Sequence, residues 1–155
     1  MAEVGNTADV DGIVETILTT YGVITVVGAS ATPTKAAYYV PEHMQQHGWR
    51  IVPVNPSAQQ ILGEKVYSHL EQIPEQVGLV NVFRPGPLTA EVARQAVACG
   101  ASALWLQLGI ASAEARSIAE GAGLLYVEDR CLIIERRRLA LEAPRGSPAA
   151  GGDAC

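Results

Sequence analysis

The sequence predicts an α/β protein: an open, doubly wound, mostly parallel sheet of about five strands, flanked by helices in a three-layer α/β/α stack. Three observations carry that expectation. Short apolar runs rich in Val, Ile and Leu alternate with stretches whose apolar residues recur every three to four positions. The connections are short, so successive strands run parallel through right-handed crossovers. The chain is also 48% hydrophobic but only 5% aromatic, so its core rests on aliphatic side chains, as in a sheet buried on both faces.

Each element follows in order. Ile13, Val14, Ile17, Leu18 and Tyr21 share one face, which predicts a helix from about Asp9 to Thr20. Asp9 or Asp11 would cap it, because an acid there accepts free amide protons, and Gly22 would end it. Val23–Val27 (VITVV) is the first strand. Lys35–Gly48 is helical in pattern, with Pro41 expected close to the start, where a missing donor costs nothing. Trp49–Pro56 (WRIVPVNP) is the second strand, closed by the turn signal Asn55-Pro56. A short strand at Lys65–Tyr67 and a helical turn lead to a third core strand, Val77–Phe83. After the turn Arg84–Pro87 come a helix to Gly100, a strand over Ala101–Gly109, a helix over Ser112–Gly123 and a strand over Leu124–Asp129. A last helix runs over Arg130–Leu141, with Glu135–Arg138 (ERRR) as its solvated end. Residues 1–140 therefore read as one domain. From Leu141 the chain is Pro/Gly/Ala-rich with no apolar period, so 141–155 reads as a disordered tail.

Composition removes several classes of function. A net charge of −5 and a pI near 5.1 argue against a nucleic-acid partner. The start, MAEVGNTADVDG, lacks the basic-then-apolar pattern of a secretion signal. No apolar run approaches the roughly 20 residues of a membrane span. The three cysteines, Cys99, Cys131 and Cys155, include no CxxC pair and read as reduced thiols. A soluble cytoplasmic protein is the expectation.

The stretch after the first strand, Gly28–Lys35 (GASATPTK), is where chemistry concentrates. A P-loop would need a second glycine where Pro33 stands and a lysine one place earlier than Lys35. A dinucleotide loop would need glycines where Ser30 and Pro33 stand. What remains is still suited to an anion: backbone amides, the hydroxyls of Ser30, Thr32 and Thr34, the Lys35 ammonium and a helix start. The plainer alternative is an ordinary strand-to-helix turn. On the second strand, Asn55 stands where an NAD site would carry an acid for the ribose hydroxyls, so NAD is disfavoured and a ligand with a further phosphate is less repelled. Arg84 emerges at the end of the third strand, to pair a phosphate, stack on a base, or stay solvated.

Signals for catalysis and metals are weak. His43 and His47 share a helix face at i, i+4, but no third ligand stands near, and exposed histidines are the expectation. His69 lies in a connection. No nucleophile elbow and no paired carboxylates stand out. Cys131, beside Arg130 and a helix start, reads either as a thiol with lowered pKa or as a small core residue. No catalytic residue and no metal is assigned.

Taken together, the motifs VVGAS, YYV, HGWRIVPVNP, ILGEKVYSHLEQIP, VNVFRP, GASALWLQLGI and GLLYVEDRCLIIE resemble the small stand-alone CoA-binding domain family. That family is similar to the Rossmann-like nucleotide-binding domain of the succinyl-CoA synthetase alpha subunit. The likeness runs from about Ile13 to Leu139. It implies a coenzyme A or acyl-CoA ligand. By position, it implies that Gly28, Ala29 and Ser30 hold phosphate, with Lys35 and Tyr38 beside them. The family has Pro-Ser-Tyr after its basic residue; this chain has Ala36-Ala37-Tyr38 and lacks that serine hydroxyl. Val54, Asn55 and Pro56 would flank the adenosine, and Phe83, Arg84 and Pro85 would cover the ligand. Gln107 would lie towards the pantetheine arm, and Cys131 near the strand ends. The implied function is CoA binding without catalysis. The alternatives are an NAD(P)-linked or acyl-CoA-transforming enzyme, or a CoA-responsive regulatory subunit with a homodimeric or other protein partner.

Overall fold

The computed structural model describes residues 7–144. Seven strands are present among them: β1 (Val23–Val27), β2 (Arg50–Val54), β3 (Gln60–Ile61), β4 (Glu64–Lys65), β5 (Leu79–Val82), β6 (Ala103–Leu106) and β7 (Leu125–Val127). The helices are α1 (Thr7–Thr20), α2 (Ala36–Gln46), α3 (Thr89–Ala98), α4 (Ala113–Gly121) and α5 (Leu132–Leu139). Five strands form one sheet in the order β2-β1-β5-β6-β7, every pairing parallel; β3 and β4 make a separate small hairpin. The sheet grows from β1 outward to β2, then restarts on the other side of β1 with β5. In doubly wound sheets such a reversal, here at the carboxyl ends of β1 and β5, is where a crevice forms.

Strand alternation divides the core into two layers. Ile24, Val26, Leu79 and Trp105 pack with Val14, Ile17 and Leu18 of α1, Val40 and Met44 of α2, and Leu132 of α5. Val27, Val52, Val80, Val82, Leu104 and Leu106 pack on the other face with Val92, Ala93 and Ala96 of α3 and Ala115 and Ala119 of α4. Both tryptophans are buried with their indole N–H satisfied: Trp49 Nε1 donates to Tyr21 O and Trp105 Nε1 to Arg130 O, each at 2.8 Å. Trp105 thereby ties β6 to the loop that opens α5.

Several expectations need correction. Pro41 lies in the middle of α2, not near its start. Asp11 does not cap α1; its carboxylate pairs with Arg130 and Arg138 of the last segment. An Asp9 cap falls outside the residues whose side chains are described. The strand expected at Lys65–Tyr67 ends at Lys65, and Tyr67 makes a single parallel bridge to Val54. Cys99 is disulfide-bonded, whereas Cys131 is a free thiol. Cys155 lies outside the described residues. Glu135 and Arg136 are buried rather than solvated. Glu135 accepts from Arg138 at 2.7 Å and Arg130 at 3.4 Å, because a buried carboxylate needs partners.

The histidines are also more engaged than expected. His43 Nε2 accepts from Arg136 Nε at 3.0 Å, and His47 Nδ1 lies 3.0 Å from the Glu142 carboxylate. Ala143 N donates to His47 O, so residues 141–143 lie against the end of α2; the remainder of the C-terminal segment is outside the described residues. Burial first, and the Arg136 guanidinium second, hold His43 below its ordinary pKa. A histidine lowered in the fold binds its proton less readily than in the unfolded chain, so its contribution to stability is complete above about pH 6.5. That contribution falls as pH drops through the lowered folded value. Thermal stability should therefore decline below about pH 6.5 with a component that His43→Gln, which keeps an acceptor, flattens. Identical pH profiles for the two proteins would contradict this.

Candidate functional site

The carboxyl ends of β1, β2 and β5 meet through the backbone. Gly28 has φ +90°, and a Cβ built there would lie 2.6 Å from Phe83 O and 3.0 Å from Arg84 Cδ. Only glycine allows this approach. Gly28 N and Ala29 N both donate to Val54 O, at 3.0 and 3.3 Å, which ties the loop to β2. Asn55 completes the tie. Its Nδ2 donates to Ala29 O at 2.8 Å, while its Oδ1 accepts from Ser57 N and Ala58 N at 2.7 and 2.8 Å. The side chain expected beside an adenosine is therefore already a clamp between two strand ends. Pro56 is exposed next to it and Val54 is buried.

The loop continues into α2 by an unusual route. Pro41 has no N–H to give to Ala37 O, four residues earlier, as a helix would require. Ser30 N donates to Ala37 O instead, at 3.2 Å. The proline thus frees the carbonyl that anchors the loop. Ser30 Oγ in turn accepts from Thr32 N at 3.0 Å. Pro41→Ala restores a competing donor inside the helix. Ser30 amide exchange should then quicken by about five- to tenfold, the worth of one net hydrogen bond, without loss of melting temperature. Unchanged protection at Ser30 would show that the proline is not what holds it.

These bonds occupy the amides of the β1 loop. The amides of Gly28, Ala29 and Ser30 are spent inside the protein, so the phosphate cradle expected there is not made of free amides. The first amides of α2 are open: Lys35 is its N-cap without a side-chain cap, and neither Ala36 N nor Ala37 N has an acceptor among the described residues. Thr32, Thr34 and Lys35 around this helix start are exposed. Tyr38 is half-buried against the α1/α2/α5 core layer.

Charge is arranged to match. Arg50, Arg94, Arg116, Arg130, Arg136 and Arg138 all form ion pairs. Among the described residues Lys35, Lys65, Arg84 and Arg137 form none, and of these Lys35 and Arg84 stand at the carboxyl ends of the strands, in a chain of net charge −5. One stands at the end of the β1 loop and the other at the end of β5, on either side of the sheet reversal. Phe83 N donates to Val27 O at 2.8 Å and holds Arg84 in place, with Pro85 exposed beyond it.

Gln107 and Cys131 belong to the other half of the carboxyl edge. Gln107 N donates to Val82 O, and its side chain is buried. Asp129 Oδ1 accepts from Gly109 N at 2.7 Å, joining the β6 and β7 ends. Cys131 is the half-buried N-cap of α5, and its strand, β7, stands three positions from β1 in the sheet. Arg130 pairs with Asp11 and Glu135 rather than with the thiol. Among the described residues no group of three or more His, Cys, Asp or Glu could hold a metal, and no helix is long and apolar enough to cross a membrane. Asn81 was not among the expected site residues; its signal is a lone amide inside the run GLVNVF, a strand otherwise apolar on both faces.

A parallel, doubly wound sheet in this order places the chain in the class of Rossmann-like α/β domains, and comparison specifies which. Residues 22–137 match the CoA binding domain family, and the chain belongs to it. The uncharacterized protein YneT of Bacillus subtilis is 34% identical over 109 residues, covering 70% of this chain and 81% of that one. A solved structure of a hypothetical protein from Pyrococcus horikoshii superposes with a TM-score of 0.82 at 36% identity, over 91% of this chain and 100% of the other. The acetate–CoA ligase [ADP-forming] II of Archaeoglobus fulgidus is 34% identical over 71 residues, which is 44% of this chain but 10% of the ligase.

Proposed function

We propose that the protein binds coenzyme A or an acyl-CoA across the carboxyl ends of β1, β2 and β5, without chemistry of its own. The observation that carries this reading is the pair of unpaired cations, Lys35 and Arg84, beside an uncapped helix start at the sheet reversal. The diphosphate lies against the Ala36 and Ala37 amides and the Lys35 ammonium, where the positive end of α2 favours an anion. Arg84 closes over it from β5. The adenosine sits by Val54–Pro56, where no carboxylate repels the further phosphate of CoA. Membership of the family, and the likeness to a ligase whose name includes CoA, support the same ligand.

An acyl group is favoured by one observation. Leu88 and Leu108 are 49% and 56% exposed, on loops that meet where a Cβ at Gly86 would lie 3.0 Å from Ala111 O. Exposed apolar side chains on these loops suit an acyl chain better than a free thiol. Calorimetry with CoA, dephospho-CoA and NAD tests the reading. The expected order is CoA strongest, dephospho-CoA weaker and NAD negligible. Equal and negligible heats for all three would overturn it.

A further inference from the structure

Asn81 is fully buried in the middle of the sheet, and its Oδ1 is the one buried side-chain oxygen or nitrogen among the described residues that lacks a hydrogen-bond partner. Its Nδ2 is fully used. It donates to Trp105 O at 3.3 Å and to Gln107 Oε1 at 3.4 Å. The Trp105 carbonyl belongs to the β6 backbone and accepts only, so it dictates which end of the Asn81 amide faces it. That choice dictates the next: Gln107 must turn Oε1 towards Asn81 and Nε2 away. Gln107 Nε2 donates to no protein acceptor among the described residues, yet it is not among the atoms sealed from solvent. Gln107 itself is only 4% exposed, and it follows β6 immediately, at the carboxyl edge beside the β5 end that carries Arg84. A polar group held this way, in a nearly closed setting with its donor unspent, is complementary to a carbonyl oxygen entering from the crevice.

We propose that Asn81 and Gln107 form an amide relay that reads a carbonyl of the ligand's amide-containing arm, Gln107 as the contact and Asn81 as the residue that positions it. This rests on the CoA reading, since the CoA arm carries two peptide-type amides while the nucleotide end carries none. The relay explains why β5 keeps an amide where its neighbours are aliphatic. In the absence of ligand the orphaned Oδ1 is a cost without return, because a buried acceptor loses its water and gains nothing. An apolar residue of similar volume should relieve that cost and leave Gln107 unsteered.

The experiment compares CoA with adenosine 3′,5′-diphosphate, which has the nucleotide end but no amide arm. In the intact protein, Gln107→Met should weaken CoA by about five- to tenfold, one neutral hydrogen bond, and leave the diphosphate nucleotide unchanged. Asn81→Leu should produce the same selective loss while the melting temperature stays level or rises, a combination that mere damage to the fold would not give. If the parent protein binds both probes and neither variant changes their ratio, the relay is wrong and CoA binding stands. If the parent protein binds neither probe, the ligand reading falls and the relay with it.

Discussion

Gly28→Ala should destabilise the protein by about 3 kcal/mol or more, a large effect for one methyl group. Two costs act together. An alanine at φ +90° sits in backbone space that L side chains avoid, at a cost of about 1–2 kcal/mol or more. The new Cβ also meets Phe83 O at 2.6 Å, and that oxygen is backbone, so no rotamer change relieves the contact. β1 and β5 are paired from Ile24↔Leu79 to Val27↔Val82, so separating their ends strains the central pair of the sheet. At this chain length about 3 kcal/mol corresponds to a fall in melting temperature of roughly 6–12 °C. A variant that melts with the parent protein would mean that the two loops are not locked as described.

The second large effect concerns binding. Lys35→Ala and Arg84→Ala should each weaken CoA by about ten- to a hundredfold, the range of a charge-assisted hydrogen bond of about 1.5–3 kcal/mol. Neither cation is committed to an ion pair within the protein, so neither change should lower the melting temperature much. Raising salt should narrow the gap between the parent protein and both variants, because exposed charges are screened over about 10 Å at 0.1 M. Full affinity in both variants would remove the cations from the site.

The layered fold was legible because its signals are local and repeated. VITVV and GLVNVF are short and rich in β-branched residues, ALWL is a short apolar run, and the alanine-rich stretches between them keep a helical period. What the sequence concealed were bonds between distant segments. Pro41 looks like a helix boundary when only its own neighbours are considered; it is tolerated inside α2 because Ser30 uses the carbonyl it leaves free. Asn55 looks like a ligand contact by position, yet three of its hydrogen bonds close a turn and clamp the Ala29 backbone. Glu135 and Arg136 look solvated in a run of charges, and only the docking of α5 against α1 and α2 buries them. Gly28 and Arg84 were visible as candidates, but their contact across β1 and β5 depends on a strand order that no local pattern specifies.

The ligand is expected to occupy the carboxyl edge at the sheet reversal, with its phosphates at the start of α2. Titrating isotopically labelled protein with CoA and following backbone amide resonances tests this most directly. Saturable shifts should concentrate at 31–38, 83–86 and 107–110, with Ala36 and Ala37 among the largest. Shifts confined instead to the cavity of about 300 Å³ lined by His69, Glu71 and Gln95 would contradict it.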